Sequence, residues 1–227
     1  MALSFLASHP PTRTRQSHLR TIHTESGRTT IEFSPSSSSH ALADATVHAM
    51  RTIVPAGKTI HDPPYHWHKY QTETFTVLRG TFLANVEGVQ TPIKAGSTVT
   101  VEAGQYHTFT NPSQTEELEI LTGLDPAERE RDEAFFRNLY GYLDDCEKAK
   151  ISPSLCQILL WLWTFDCYLA LPGPKWLMRI VSQIMVWVLG VVVGKYLLGY
   201  QQNYEEYFAG DVDKVLHKGG RTGRKEL

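Results

Sequence analysis

The chain has 227 residues, a length that suits one domain with appendages or two small domains. Its 22 basic and 24 acidic side chains give a net charge of −2, so the composition excludes a broad basic field, and we expect no nucleic-acid partner. Three cysteines without a CxxC pair argue against a disulfide framework and favour a reducing, intracellular compartment.

The N-terminal segment, residues 1–18, has no acidic residue and is interrupted by two prolines. We expect this segment to be a disordered leader. A mitochondrial transit peptide is the alternative, because such peptides are rich in arginine and poor in acidic residues.

Residues 19–124 consist of short runs rich in Val, Thr, Phe and Ile, separated by turns. Glycines recur through this region at intervals of eight residues: Gly80, Gly88, Gly96 and Gly104. Short strands with regularly spaced turns are typical of a sandwich or a barrel. The sequence therefore predicts a mainly β domain over residues 19–124.

The sequence changes character after this domain. Residues 125–150 carry apolar side chains at helical spacing and predict an amphipathic helix with a linker. The apolar stretch 155–171 has an aspartate near its centre, which is costly in lipid, so we expect an interfacial helix or half of a helical hairpin. Residues 176–200 are mostly apolar and longer than the about 20 residues that a membrane span needs, with Arg179 and Lys195 near the two ends, and they predict a transmembrane helix. A polar basic tail follows at 201–227.

We expect these C-terminal helices to associate with a membrane and to leave the β domain in the cytosol. The alternative is that the two apolar stretches are buried helices packed on the β domain, or that they form the hydrophobic interface of a homodimer.

Potential metal ligands occur at three places in the β domain. His66 and His68 are separated by one residue, so both imidazoles lie on the same face of a strand. Glu73 follows a short polar turn, and a returning strand would bring its carboxylate near the two histidines. His107 follows a later turn at Gly104 and suggests a fourth ligand. Imidazole and carboxylate ligands suit a borderline divalent metal.

Strand parity adds apolar side chains to the inward faces that carry these ligands. We predict an apolar pocket around the metal, lined by Phe75, Val77, Phe82, Phe109 and Asn111. The catalytic residue is unknown from the sequence. Tyr70 lies in the turn between the first two metal-binding segments and is a candidate proton donor.

Two segments resemble the two motifs of the cupin superfamily, which form strand pairs of a small jelly-roll barrel. Residues 57–80 read Gly57-x8-His66-x-His68-x4-Glu73-x6-Gly80, and residues 96–111 read Gly96-x7-Gly104-x2-His107-x3-Asn111. The resemblance implies a cupin barrel in which His66, His68, Glu73 and His107 bind one divalent metal ion. Fe(II) is favoured, and Mn(II), Ni(II) and Zn(II) fit the same ligands.

The chain departs from the motifs at two positions. The gap before the first histidine has eight residues instead of five, and Glu102 stands where proline is usual. Neither position is a ligand, so the expected metal site is unaffected. No nucleotide-binding motif occurs, and we expect no nucleotide cofactor.

The order of leader, cupin barrel, amphipathic helix and apolar C-terminal pair resembles fungal cupin-domain oxidoreductases that accompany polyketide synthases, including those of salicylaldehyde-type pathways. The resemblance implies a metal-dependent tailoring oxidoreductase in fungal secondary metabolism. Its substrate would be a small lipophilic polyketide intermediate, and the synthase pathway enzymes would act with it. One alternative is a non-redox isomerase, cyclase or dehydratase. Another is a membrane-tethered binding or accessory protein without catalysis.

Overall fold

The computed structural model describes residues 3–34, 48–57 and 59–210, and the chain divides into two compact units. The barrel unit comprises residues 19–127 and 166–185, and the helical unit comprises residues 1–18, 128–165 and 186–227.

The barrel unit is built of antiparallel strands in two sheets. The strands are β1 (Thr21–Thr24), β2 (Thr29–Phe33), β3 (His48–Val54), β4 (His66–His68), β5 (Thr72–Arg79), β6 (Thr81–Val86), β7 (Val89–Lys94), β8 (Thr98–Val101), β9 (His107–Thr110), β10 (Leu118–Asp125) and β11 (Cys167–Leu169). One sheet has the order β1-β2-β3-β10-β5-β8, and the other has the order β11-β4-β9-β6-β7. The predicted mainly β domain is confirmed.

The core of the barrel unit follows from strand alternation. In β5, Glu73, Phe75 and Val77 are buried while their neighbours are less so, because alternate side chains point to opposite faces. The buried cluster that results contains Val54, Phe75, Val77, Phe82, Ala84, Val101, Leu118 and Ile120, with Phe109 packed against it.

Three aromatic rings lie at the centre of this core. The ring centroids of Phe75, Phe82 and Phe109 are 4.8–4.9 Å apart in all three pairs. Separations of this size are those of aromatic rings in direct contact. The sequence predicted these side chains and Val77 as the lining of a pocket, and the structure places them in the buried core of the barrel unit.

The hairpin formed by β1 and β2 is fixed to the loop that precedes β4. Glu25 has a left-handed backbone, with φ 53°, and its buried carboxylate accepts hydrogen bonds from the hydroxyls of Thr29 and Thr59 and from the backbone N–H of Ile60. His61, in the same loop, forms a 2.9 Å hydrogen bond between its Nε2 and the Thr24 hydroxyl. These contacts connect the hairpin to the segment that leads into β4.

His61 makes the stability of the barrel unit dependent on pH. Burial lowers the pKa of His61 from 6.5 to about 4, and the Glu25 charge only partly opposes this effect. Between these pH values the unfolded chain binds a proton at His61 and the folded chain does not. The free energy of unfolding should therefore fall by up to about 3 kcal/mol as the pH decreases through this window.

Urea unfolding at several pH values would measure this contribution. We expect His61→Gln to lose less stability than the parent protein between pH 6.5 and 4, and the exposed His23→Gln to behave like the parent. Equal losses in the parent and His61→Gln would show that other groups cause the dependence.

The helical unit includes the N-terminal residues. Thr14 donates hydrogen bonds to Asp145 through its backbone N–H (2.7 Å) and its hydroxyl (2.6 Å), and the backbone N–H of Ser8 donates to the hydroxyl of Tyr200 (3.0 Å). Gln16 is buried. The predicted disordered leader is therefore wrong for residues 3–18, because polar side chains of the same unit bind this backbone.

Helix α1 (Arg129–Ala149) confirms the predicted amphipathic helix, which begins later than expected because Asp125 ends β10. The prediction of one helix over 155–171 is wrong. Helix α2 (Leu155–Thr164) ends before Asp166, which has a left-handed φ of 53°, and β11 follows. The backbone of β11 pairs with that of β4 through hydrogen bonds. These bonds make an extended conformation more favourable than a continued helix.

The second apolar stretch forms helix α3 (Lys175–Val186) and continues as a π-helical segment, Trp187–Leu198. Together, α3 and the π-helical segment form a helix, Lys175–Leu198, that is long and apolar enough to cross a membrane, by length and composition. Its π-helical segment packs closely on α2, because a Cβ at Gly190 would lie 2.7 Å from the Leu159 backbone. Of the predicted basic tail 201–227, residues 211–227 lie outside the described residues.

Candidate metal centre

Four side chains converge inside the barrel unit. His66 and His68 come from β4, Glu73 from β5 and His107 from β9, and His66 lies opposite His107 in the antiparallel pair. One ligand atom from each of the four residues lies within 4.8 Å of the others. All four side chains are at most 7% exposed. The four residues predicted as metal ligands are therefore brought together in a buried cluster.

Backbone carbonyls orient two of the imidazoles. The Nδ1 of His66 is 2.8 Å from the carbonyl oxygen of Pro64, and the Nδ1 of His107 is 3.1 Å from that of Gln105. A carbonyl can only accept, so Nδ1 carries the proton in both rings. The Nε2 atoms are left for the centre of the cluster, as is usual for histidines that bind metals.

The carboxylate of Glu73 completes the cluster. Its Oε2 lies 3.1 Å from the Nε2 of His107 and 3.4 Å from the Nε2 of His68. Burial raises the pKa of Glu73, but hydrogen bonds from His107 and His68 outweigh burial and hold that pKa below its ordinary value. Burial, together with the neighbouring histidines, holds the pKa of His66 well below 6.5. An ionised carboxylate and a neutral imidazole are the forms that bind metal.

These groups fit a divalent transition metal. Three imidazole nitrogens and one carboxylate oxygen form a mixed ligand set of intermediate softness. The Nε2 of His107 lies 3.1 Å from the Oε2 of Glu73, and a cation bound between the two atoms would replace that direct contact. Four protein ligands leave one or two positions open on a five- or six-coordinate ion.

Strand β11 was not predicted, and it adds two side chains beside the ligands. Cys167 lies opposite His68 and Leu169 lies opposite His66, so these pairs share a face of the sheet. On the other face Trp67 and Tyr168 are in contact, with ring centroids 5.0 Å apart. Burial raises the pKa of the Cys167 thiol, and the charges of Glu73 and Asp166 raise it further. In the sequence, the acidic residue Asp166 within an apolar run suggests a break but not a strand; in the structure its backbone is left-handed, with φ 53°.

Two other predicted site residues have different positions. Tyr70 is 59% exposed, and the ammonium group of Lys69 lies 5.0 Å from the centre of its ring, so the candidate proton donor is on the surface and not among the buried ligands. Asn111, predicted in the pocket, donates to the carbonyls of Pro55 and Glu116 and accepts from the N–H of Ser113. Its amide therefore stabilises a loop.

Comparison with known proteins agrees with this geometry. The family model described as Cupin domain matches residues 50–123. The probable oxidoreductase virH of Hypocrea virens is 34% identical over 156 residues, which cover 67% of this chain and 70% of that protein. The epoxidase atD of Aspergillus terreus is 29% identical over 174 residues, which cover 74% of this chain and 53% of that protein. The oxidoreductase iacF of Pestalotiopsis fici is 33% identical over 141 residues, which cover 58% of this chain and 69% of that protein.

The chain thus aligns with about half the length of atD and about 70% of virH. The match to virH is high enough in both identity and coverage to assign a family. The chain belongs to the cupin family, and the relatives that it resembles are fungal oxidoreductases.

Proposed function

We propose that the protein is a metal-dependent cupin oxidoreductase. The observation that carries this proposal is the buried cluster of His66, His68, Glu73 and His107, whose ligand atoms lie within 4.8 Å of one another. The relatives named oxidoreductase or epoxidase support an enzyme of the oxidoreductase kind. We favour Fe(II) as the metal, because it binds such ligands and changes oxidation state.

The chain itself would contribute binding and charge. The Nε2 atoms of the three histidines and the Oε2 of Glu73 would hold the ion, which supplies open coordination positions and electron transfer when bound. The carbonyls of Pro64 and Gln105 fix the orientation of two of the rings. The negative charge of Glu73 partly neutralises the cation, and burial keeps bulk water away from the centre.

We propose a small lipophilic substrate of the polyketide type. Apolar side chains accompany the ligands: Phe109 lies two residues after His107 in β9, and Leu169 lies opposite His66. The name of the relative atD, an epoxidase, supports oxygen chemistry on an organic substrate. Enzymes of a polyketide pathway would then supply and consume the intermediate.

Oxygen uptake by full-length protein would test the redox assignment. We expect protein loaded with Fe(II) to consume dioxygen in the presence of alkylated phenols or aldehydes, and protein loaded with Zn(II) to be inactive. Turnover with Zn(II) without oxygen would instead support an isomerase, cyclase or dehydratase. Binding of these compounds without turnover under either condition would support the accessory protein.

We also propose that helix α3 attaches the protein to an intracellular membrane. One face of this helix exposes Trp176 (70%), Ile180 (50%) and Ile184 (56%), which are apolar side chains at helical spacing. Ser182, on the opposite side, is buried and donates to the carbonyl of Leu169. A helix with one protein-bound side and one apolar exposed side suits the membrane interface better than a span. Residues 211–227 have five basic and three acidic side chains, which favours anionic lipid.

Vesicle flotation would test this attachment. We expect replacement of Trp176, Ile180 and Ile184 by serine to reduce binding to anionic vesicles at least ~10-fold, because buried apolar area is lost. Val89→Ser removes a side chain that is 66% exposed in β7 and should have no effect. If the triple serine variant floats like the parent protein but no longer forms a dimer that the parent forms, the apolar face is a homodimer interface and not a membrane-binding surface.

A further inference from the structure

The outer face of the metal-binding strands carries a cluster of aromatic side chains. Trp67 lies between the ligands His66 and His68, and Tyr106 directly precedes the ligand His107. Their rings are stacked, with centroids 6.3 Å apart and an interplanar angle of 26°. Trp67 and Tyr106 are 3% and 7% exposed. Any group that fixes this pair therefore acts on the two strands that carry three of the four ligands.

Arg179 of helix α3 binds this aromatic pair. Its guanidinium carbon lies 5.2 Å from the ring centre of Trp67 and 5.7 Å from that of Tyr106. Both distances are within the range of cation–π attraction. One guanidinium thus contacts the strand of His66 and His68 and the segment that leads into the strand of His107.

Arg179 also binds the turn before β9. Its Nη2 donates to the carbonyl oxygen of Gly104, and the N–H of Gly104 donates to the carbonyl of His68 at 2.7 Å. Gly104 has a φ of +81°, and a Cβ there would lie 2.9 Å from Nη2 of Arg179. Only glycine meets both requirements without strain. The turn therefore connects Arg179 to the backbone of a ligand residue.

We propose that Arg179 is a positioning residue of the metal centre. It lies outside residues 50–123, which the cupin family model matches, and it acts from the outer side of the barrel. Through the Gly104 turn, Trp67 and Tyr106 it sets the separation of β4 and β9, and with it the spacing of the Nε2 atoms of the histidines. This inference rests on the proposed function, because it requires that these histidines bind a metal.

Arginine suits this position better than lysine. A planar guanidinium can stack on aromatic faces and donate to a carbonyl at the same time, whereas an ammonium group lacks the plane. We therefore expect Arg179→Lys to retain part of the effect and Arg179→Met to lose it, since methionine keeps length and apolar character without the charge or the donors.

Titration of the full-length, metal-free protein with Co(II) tests the proposal. The visible absorption of bound Co(II) reports both the Kd and the coordination geometry. We expect Arg179→Met to bind Co(II) ~10–100-fold more weakly, the loss typical of residues that orient metal ligands, and to show an altered spectrum at saturation. The Kd of Arg179→Lys for Co(II) should lie between those of the parent protein and Arg179→Met. The matched control is Arg79→Met, which removes an exposed ion pair with Glu117.

The outcomes separate this inference from the proposed function. If the parent protein binds no Co(II), the proposed function and the inference both fail. If the parent binds Co(II) and Arg179→Met gives the same Kd and spectrum, only the inference fails. Circular dichroism checks that each variant is folded. Should Arg179→Met not fold, Arg179→Lys decides: a weaker Kd with an altered spectrum supports positioning, and values equal to those of the parent overturn it.

Discussion

Replacing His66 with alanine is expected to reduce metal affinity at least ~100-fold, because loss of a direct ligand should exceed the effect of losing an orienting group. His66 is 7% exposed and lies opposite His107 in the paired strands. Elemental analysis of natively purified protein and Co(II) titration would both measure the loss. The exposed His23→Ala in β1 is the matched control and should bind metal like the parent.

Glu73→Gln separates the charge of the cluster from its shape. Glutamine has the same size but cannot supply a carboxylate to the ion. We expect weaker metal binding in this variant also, together with a loss of any turnover that depends on the metal. Metal content equal to that of the parent in both His66→Ala and Glu73→Gln would contradict a metal site at this cluster, whatever the activity of the variants.

Truncation of Phe75 should have the largest effect on stability. Its ring is 1% exposed and contacts the rings of Phe82 and Phe109 at 4.8 and 4.9 Å. Removal of a buried phenylalanine leaves a cavity and typically costs about 3–5 kcal/mol. We therefore expect urea denaturation to show that Phe75→Ala lowers the free energy of unfolding by that amount. The variant should be mostly folded without urea and should unfold at low urea concentrations.

The same experiment distinguishes a core position from a pocket position. A side chain that lined an open pocket would lose little stability on truncation, since few contacts would be removed. Tyr70→Ala, at a position that is 59% exposed, serves as the control and should change stability by less than about 0.5 kcal/mol. A similarly small change in Phe75→Ala would support the pocket that the sequence predicted.

The candidate metal cluster could be predicted in large part because most of its determinants are local. Two histidines one residue apart must share a strand face, and Glu73 follows within a short turn. The structure brings these side chains together with His107 through the pairing of β4 with β9. The position of Tyr70 was not predictable, because a turn can direct a side chain either to the site or to solvent.

The N-terminal segment and β11 could not be read from side-chain patterns. Thr14 is held by Asp145, a residue far away in the sequence, and composition alone gives such a segment no partner. The apolar run 155–171 has the composition of a buried helix, yet Cys167–Leu169 pairs with β4 through its backbone. Short apolar runs are ambiguous between helix and strand until a partner is known.

Short segments of the chain were enough to predict the barrel, its family motifs and the four candidate ligands, because strand period and turn chemistry are local properties. The folded chain was needed to show which segment covers the edge of β4, which aromatic rings fill the core and which cationic side chain binds the outer face of the site. Those choices depend on backbone hydrogen bonds and on contacts of Arg179 with residues distant in the sequence. Every residue type except proline offers the same backbone N–H and C=O groups, so no side-chain pattern specifies their partners.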